Sequence, residues 1–219
     1  MSVEYDFNDP IFKKVPLYRR LAREHLSIAD LKSDRIKWRA VETATHLNIP
    51  IRYQIDYLFQ SIIGINEDQS PLYGAKHTIE VSFPASFPRE TFKARAITNL
   101  WHPNIKWEGP TKGRICVNNQ NFGRGYDLYW YLLRIGEIIQ WKNYLAENIW
   151  PYPEDATVAK WVLNYAEPKG LMSIKDKKPV DESNLLEYTP EKEPEKKIII
   201  KEVNRSKIRI KRPPQNGGD

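Results

Sequence analysis

The stretch Asn99-Leu100-Trp101-His102-Pro103-Asn104-Ile105-Lys106-Trp107-Glu108-Gly109-Pro110-Thr111-Lys112-Gly113-Arg114-Ile115-Cys116-Val117 holds the chain's single cysteine, twelve residues after a His-Pro-Asn triplet. One cysteine forms no internal disulfide, and with no Cys-x-x-Cys pair and four scattered histidines there is no zinc spacing. Cys116 is therefore either a small buried hydrophobe or a nucleophile. Gly109, Pro110 and Gly113 place a turn before it, and Asn118, Asn119, Gln120, Asn121, Gly123 and Gly125 make the following segment polar and irregular. That context puts the thiol on exposed chain. Lys112 and Arg114 stand close enough in sequence to favour the thiolate. The Asn104 carboxamide offers an N–H of the kind that stabilises the oxyanion formed when a carbonyl attached to sulfur is attacked. Both readings of the cysteine stand at this point.

Working outward, Leu17, Leu21, His25, Ile28 and Leu31 recur at three- and four-residue steps, with Arg19, Arg20 and Arg23 largely on other faces. The spacing predicts an amphipathic helix over 17–31, after a lead-in of residues 1–16 that ends at Pro16. Ile36–Leu47, Ile51–Ile63, His77–Phe83 and Phe92–Thr98 read as strands, with Pro50 marking the break between the first two. Four sequential strands with short turns predict an antiparallel meander covered on one face by the helix, an α+β domain. Two aromatic-Pro bonds, at Phe83 and Phe87, stiffen the connection between strands three and four and allow a cis bond there. Asp127 suits the N-cap of a helix from Leu128 to about Leu145, with Leu128, Leu132, Ile135, Ile138 or Ile139, and Leu145 as its buried stripe. Trp150-Pro151-Tyr152-Pro153 ends it, and Val158, Trp161, Val162 and Tyr165 mark a last short helix for which Asp155 is a natural cap.

The landmarks Phe83-Pro84-Ala85-Ser86-Phe87-Pro88, His102-Pro103-Asn104, Cys116 and Trp150-Pro151-Tyr152-Pro153-Glu154-Asp155 come in the order found in ubiquitin-conjugating enzymes, and the chain resembles that family over about 150 residues. The resemblance implies a ubiquitin-conjugating-like domain over residues 1–168. Cys116 would accept the carboxy terminus of ubiquitin or a ubiquitin-like modifier from an activating enzyme and pass it to an amine on a target protein, with no cofactor. It further implies that Asn104 positions the loop or stabilises the oxyanion, that Asp155 orients the incoming amine, and that His102 and Pro103 hold the turn. Arg19, Arg20 and Arg23 on the first helix would face the activating enzyme, or form a solvated face. Arg89, Thr91 and Phe92 replace the family's apolar ligase-contacting residue and Pro pair, which counts against a eukaryotic-type ligase and leaves the need for any ligase open. The long interval from Asn104 to Cys116 and the Gly123-Arg124-Gly125-Tyr126 loop resemble instead conjugating-like proteins of bacterial operons associated with defence against phage.

Residues 169–219 hold thirteen Lys or Arg and nine Asp or Glu, interrupted by five prolines. This composition predicts a charged, mostly flexible extension, within which Ile198, Ile200, Ile208 and Ile210 alternate with charged residues as a possible hairpin over 197–211. The near-balanced charge and scarcity of aromatics there argue against a nucleic-acid partner. No apolar run reaches the roughly 18 residues of a membrane span, and the amino terminus lacks a signal-peptide layout, so a cytoplasmic protein with a reduced thiol is expected. The rival to the enzyme is an inactive conjugating-fold module that binds a ubiquitin-like protein or another partner. A papain-like hydrolase is disfavoured because Cys116 precedes an Asn-rich loop rather than opening a helix.

Overall fold

The computed structural model describes residues 4–29, 31, 33–117 and 127–171. Helix α1 (Pro10–Lys14) is capped by the Asp9 carboxylate, which accepts from Ile11 N–H, and α2 (Pro16–Ala29) follows after one residue. Proline at the first helical position of α2 is costless because that N–H has no intrahelical partner. The turn α1 lies within the expected lead-in. Five residues are too few to show a period, and it is Phe12, buried at 2% exposure, that ties the turn to the core. The predicted stripe of α2 is observed: Leu21, His25 and Ile28 are buried, and Leu17 and Leu31 are half-buried.

Strand β1 (Ile36–Ala44) pairs with β2 (Ile49–Tyr57) through a turn in which Thr45 and Asn48 take left-handed φ values of 67° and 51°. The expected strand Ile51–Ile63 is in fact two. β2 stops at Tyr57, and Ser61–Ile65 (β3) pairs with Pro71–Gly74 (β4) as a separate hairpin. Tyr57, Phe59 and Ile63 keep the apolar phase across the break, and only Leu58 and Ser61, out of phase, mark it. Pro50 does not separate strands either. It sits inside β2 opposite Thr43, outside the register Arg52–Tyr57 that β2 makes with β5, where a missing N–H is tolerated. β5 (His77–Ser82) and β6 (Lys93–Ala96) complete an all-antiparallel sheet of order β1-β2-β5-β6, the expected meander. On one face Tyr53, Ile55 and Tyr57 lie opposite Val81, Ile79 and His77, and all six are buried. Of the aromatic-Pro bonds, Phe87–Pro88 and Trp150–Pro151 are cis.

Helix α3 (Leu128–Ile139) fills the space over this face, with ten of its twelve residues buried. Tyr57 Oη donates to the carbonyl of Leu132 at 2.8 Å and Ser61 Oγ to that of Ile139 at 2.5 Å, pinning helix to strands. The helix ends six residues before Leu145. Trp141 adopts a left-handed φ of 61°, its N–H donates to Ile138 O at 2.9 Å, and Lys142 N–H donates to Glu137 O at 3.0 Å. That is a Schellman stop, a position usually marked by glycine or asparagine, and tryptophan there hides the signal. Burial of Trp141 against His102 (ring centroids 4.4 Å) and Trp161 (6.4 Å) offsets the backbone strain of about 1 kcal/mol. Helix α4 (Ala156–Trp161) runs on as a π-helical turn over Val162–Ala166, burying Val158, Trp161 and Val162 as expected.

Among the described residues no helix is long and apolar enough to cross a membrane. The Asn-rich residues 118–126 and nearly all of the extension, including the hairpin expected over 197–211, lie outside the described residues.

Candidate active site

After β6 the chain buries Leu100 and Trp101, turns at His102, and runs outward to the Gly109–Lys112 turn before doubling back. The returning residues 113–115 lie between β6 and the outgoing segment. Ala96 N–H donates to Gly113 O at 2.8 Å and Ile115 N–H to Ala94 O at 3.0 Å, while Gly113 N–H donates to Lys106 O at 2.7 Å. Gly113 has a φ of 84°, and a Cβ there would lie 2.3 Å from the Ala96 carbonyl oxygen, so no other residue fits. Ile115 and Val117 are buried at 6% and 4% exposure, and Cys116, alternating between them, is half-buried rather than fully exposed.

Asn104 grips the cysteine from both sides. Its carbonyl accepts from Cys116 N–H at 2.8 Å, its Nδ2 donates to Cys116 O at 3.1 Å, and its Oδ1 accepts from Leu145 N–H at 3.0 Å. The carboxamide, on a residue 4% exposed, thus ties the cysteine segment to the chain that follows α3. His102 sets the turn from within. Its Nδ1 accepts from Asn104 N–H at 3.0 Å, which places the ring proton on Nε2, and burial pushes its pKa down to about 3. The imidazole is neutral, in keeping with a holding role.

Asp155 is built into the same turn. Its N–H donates to Pro103 O at 2.9 Å; Oδ1 accepts from Thr157 and Val158 N–H, and Oδ2 from Trp107 N–H at 3.0 Å and Lys106 Nζ at 3.1 Å. Burial of this 2%-exposed carboxylate would raise its pKa. The hydrogen bonds from Trp107 and Val158 and the Lys106 ammonium outweigh that, so it lies below the ordinary value and stays ionised. All four acceptor positions are filled from inside the fold, which is the geometry of a cap and clamp.

The two cations expected to favour the thiolate have other partners: Arg114 pairs with Glu154 at 2.6 Å, and Lys112 lies over the Trp107 ring at 5.5 Å. Arg19, Arg20 and Arg23 sit on the exposed face of α2, with Arg19 over Phe7 and Arg20 over Phe87. Two further residues belong to the site's frame. Tyr131 on α3, 1% exposed, donates to Phe92 O at 3.0 Å; burial raises its pKa, and so does the negative charge of a Cys116 thiolate nearby. Glu24 on α2 is 1% exposed and accepts from Leu128 N–H at the start of α3. Its signal was available: it interrupts the apolar stripe between Leu21 and Ile28, and a charge in such a stripe needs buried partners. Among the described residues no group of three or more His, Cys, Asp or Glu is placed to hold a metal ion.

The family described as ubiquitin-conjugating enzyme matches residues 29–143, more than half of the chain. The chain belongs to this family. His102, Asn104 and Cys116 fall inside the matched span; Asp155 and α4 lie beyond it. Among solved structures the chain is similar to the human ubiquitin-conjugating enzyme E2 G1, at 14% identity and a TM-score of 0.38, over 54% of this chain and 90% of that one. It is also similar to a Toxoplasma gondii ubiquitin conjugating enzyme E2 domain, at 21% identity and a TM-score of 0.46, over 72% and 92%. No curated protein matches the chain.

Proposed function

We propose that Cys116 carries ubiquitin or a ubiquitin-like protein as a thioester and that the protein transfers it to an amine on a target protein. The observation that supports this is the two-sided grip of Asn104 on Cys116, inside the family-matched span, which holds a half-buried sulfur between two buried neighbours. In the first step the Cys116 thiolate attacks the carbonyl of the modifier's thioester on an activating enzyme, and the enzyme's thiolate leaves. One thioester replaces another, so the step is nearly balanced and depends on presenting the sulfur. In the second, an amine attacks the same carbonyl carbon, the tetrahedral oxyanion collapses, and the Cys116 thiolate departs as the amide forms and the amine loses its proton. Of the two roles considered for Asn104, loop positioning accords with its bonds to Cys116 and Leu145. For Asp155, clamping the Pro103–Trp107 turn accords with its filled acceptor positions better than orienting an amine.

Arg19, Arg20 and Arg23, exposed on α2, are the docking face we assign to the activating enzyme. The long interval from Asn104 to Cys116 and the Gly123-Arg124-Gly125-Tyr126 sequence favour a bacterial ubiquitin-like conjugation pathway of the antiphage type, acting in the cytoplasm, and Arg89, Thr91 and Phe92 count against a eukaryotic-type ligase. The test is intact mass of the protein purified under non-reducing conditions from cells that also express the neighbouring genes. An adduct of modifier mass that thiol removes, absent from Cys116→Ala, is expected. An adduct that persists in Cys116→Ala would overturn the assignment of the sulfur, and no adduct with active activating enzyme and modifier present would favour the binding-module alternative.

A further inference from the structure

The pairing of the sheet continues past β6 into the segment that carries the cysteine. Ala96 N–H donates to Gly113 O at 2.8 Å, Ile115 N–H donates to Ala94 O at 3.0 Å, and Arg95 and Arg114 are antiparallel bridge partners between them. These contacts fix one register: Ala96 faces Gly113, Arg95 faces Arg114 and Ala94 faces Ile115. The next position along it sets Lys93 opposite Cys116. The two side chains also share a face of the sheet. Ala94, Ala96 and Ile115 are buried against the core, Lys93, Arg95 and Arg114 are exposed, and Cys116 lies between the buried Ile115 and Val117. Arg95 and Arg114 form a pair without mutual hydrogen bonds, and Lys93 with Cys116, one pleat on, repeats that kind. In agreement, the N–H and carbonyl of Cys116 point away from β6, both to Asn104. In such pairs the β-carbons stand roughly 5 Å apart, and the side chains come close.

The other charged and titratable groups around this position are engaged elsewhere. Arg114 pairs with Glu154 at 2.6 Å, Lys106 with Asp155 at 3.1 Å, and Arg95 Nε donates to Lys112 O at 3.1 Å. Glu80 of β5 lies opposite Arg95 and 4.0 Å from Arg52. His102 is buried behind the turn, and Tyr131 of α3 donates its hydroxyl proton to Phe92 O at 3.0 Å. Lys93 differs from all of these. It faces Ser82 on β5, and its ammonium makes no hydrogen bond or ion pair among the described residues. A positive charge facing a thiol across one strand spacing favours the thiolate over the thiol.

We propose that Lys93 is the cation that serves Cys116: from the facing position on β6 its ammonium stabilises negative charge on the sulfur. The transfer uses that charge twice, when the thiolate attacks the incoming thioester and when it departs as the amide forms. This use rests on the carrier role proposed above, whereas the effect on the thiol does not.

The experiment is the pH profile of alkylation by iodoacetamide, an uncharged reagent, on the full chain, followed by intact mass. With one cysteine in the protein, an added carbamidomethyl group reports Cys116. The variants are Lys93→Gln, Lys93→Arg, Lys93→Glu and Lys112→Gln. Lys93 is exposed, so its replacement leaves the core intact. Lys93→Gln is expected to move the alkylation midpoint up by about half a pH unit, which is about threefold in rate below the midpoint. Lys93→Glu moves it further in the same direction, and Lys93→Arg keeps it. A merely structural lysine would not sort its replacements by charge. At about 1 M salt the differences shrink, because the pair is exposed to solvent. Lys112→Gln checks the register: its ammonium lies over the Trp107 ring, so it shifts the midpoint less than Lys93→Gln. An unchanged midpoint in Lys93→Glu overturns the proposal, as does a shift in Lys112→Gln equal to or larger than that in Lys93→Gln. Alkylation needs no modifier, so the two readings fail separately. These shifts without any thioester on the wild type would refute the carrier role alone, and a thioester without the shifts would refute the role of Lys93 alone.

Discussion

At the scale of single residues, the site is a set of buried polar groups whose charges are fixed by their neighbours. His102 shows the consequence for pH. Burial holds its folded pKa near 3, against an ordinary 6.5. The unfolded chain therefore takes up a proton that the folded chain refuses, and the stability His102 contributes is complete above about pH 6.5 and declines as pH falls towards 3. The slope this one group adds approaches about 1.4 kcal/mol per pH unit. Replacement by asparagine, which keeps an acceptor for the Asn104 N–H, is expected to remove that slope. Urea midpoints of wild type and His102→Asn from pH 7 to pH 4 measure it; parallel pH profiles would show that His102 is not held neutral. The residues of the triplet and the lone cysteine could be singled out from the sequence because their types are rare and their spacing is short. Asp155 was legible as a cap, from its place before a periodic segment. Its bond to Trp107 was not, because 48 residues separate the partners and neither type announces the other.

Among elements, the returning segment 113–115 decides where the sulfur lies, and Gly113 decides whether that segment can join the sheet. Gly109 and Gly113 share a φ of 84°, yet a Cβ at 109 would meet open space and one at 113 would strike the Ala96 carbonyl. The left-handed conformation alone costs an alanine about 1 kcal/mol. Gly109→Ala is expected to lose about that, and Gly113→Ala well over 2 kcal/mol, since strain and a lost strand contact add. Equal losses in chemical denaturation would mean that the contact with β6 does not hold the segment. Elements with a long, clean period, α2 and the four-stranded sheet, were legible to within a few residues. Three features were not, each for a physical reason. The break between β2 and β3 is marked only by Leu58 and Ser61 out of phase in an otherwise continuing apolar alternation, α1 is shorter than a period can reveal, and the stop of α3 uses tryptophan where glycine is the usual sign.

For the whole molecule, the described core falls into two clusters, and the candidate site lies on the seam. The larger surrounds the four-stranded sheet, α2 and α3 and includes Ile115 and Val117; the smaller gathers Trp101, Trp141, Val158, Trp161 and Val162. Asn104 stitches across it by joining Cys116 to Leu145, while Asp155 holds Pro103 and Trp107 to α4 on the side of the smaller cluster. Such a seam holds the sulfur on a stretch whose Cys116 N–H and carbonyl are both bonded to Asn104, which suits the exchange between two thioesters proposed above. The family is shown by the matched span of residues 29–143; the chemistry proposed for this chain turns on Cys116. The most direct measurement is therefore tandem mass spectrometry of Cys116→Ser, expressed with the neighbouring genes and digested without and with thiol. An oxygen ester that thiol does not cleave, mapped to residue 116 and carrying the modifier's carboxy-terminal residues, is the result this account predicts. A modifier found on any other residue of that variant, or none on residue 116 while the wild type carries a thiol-labile adduct, would contradict it.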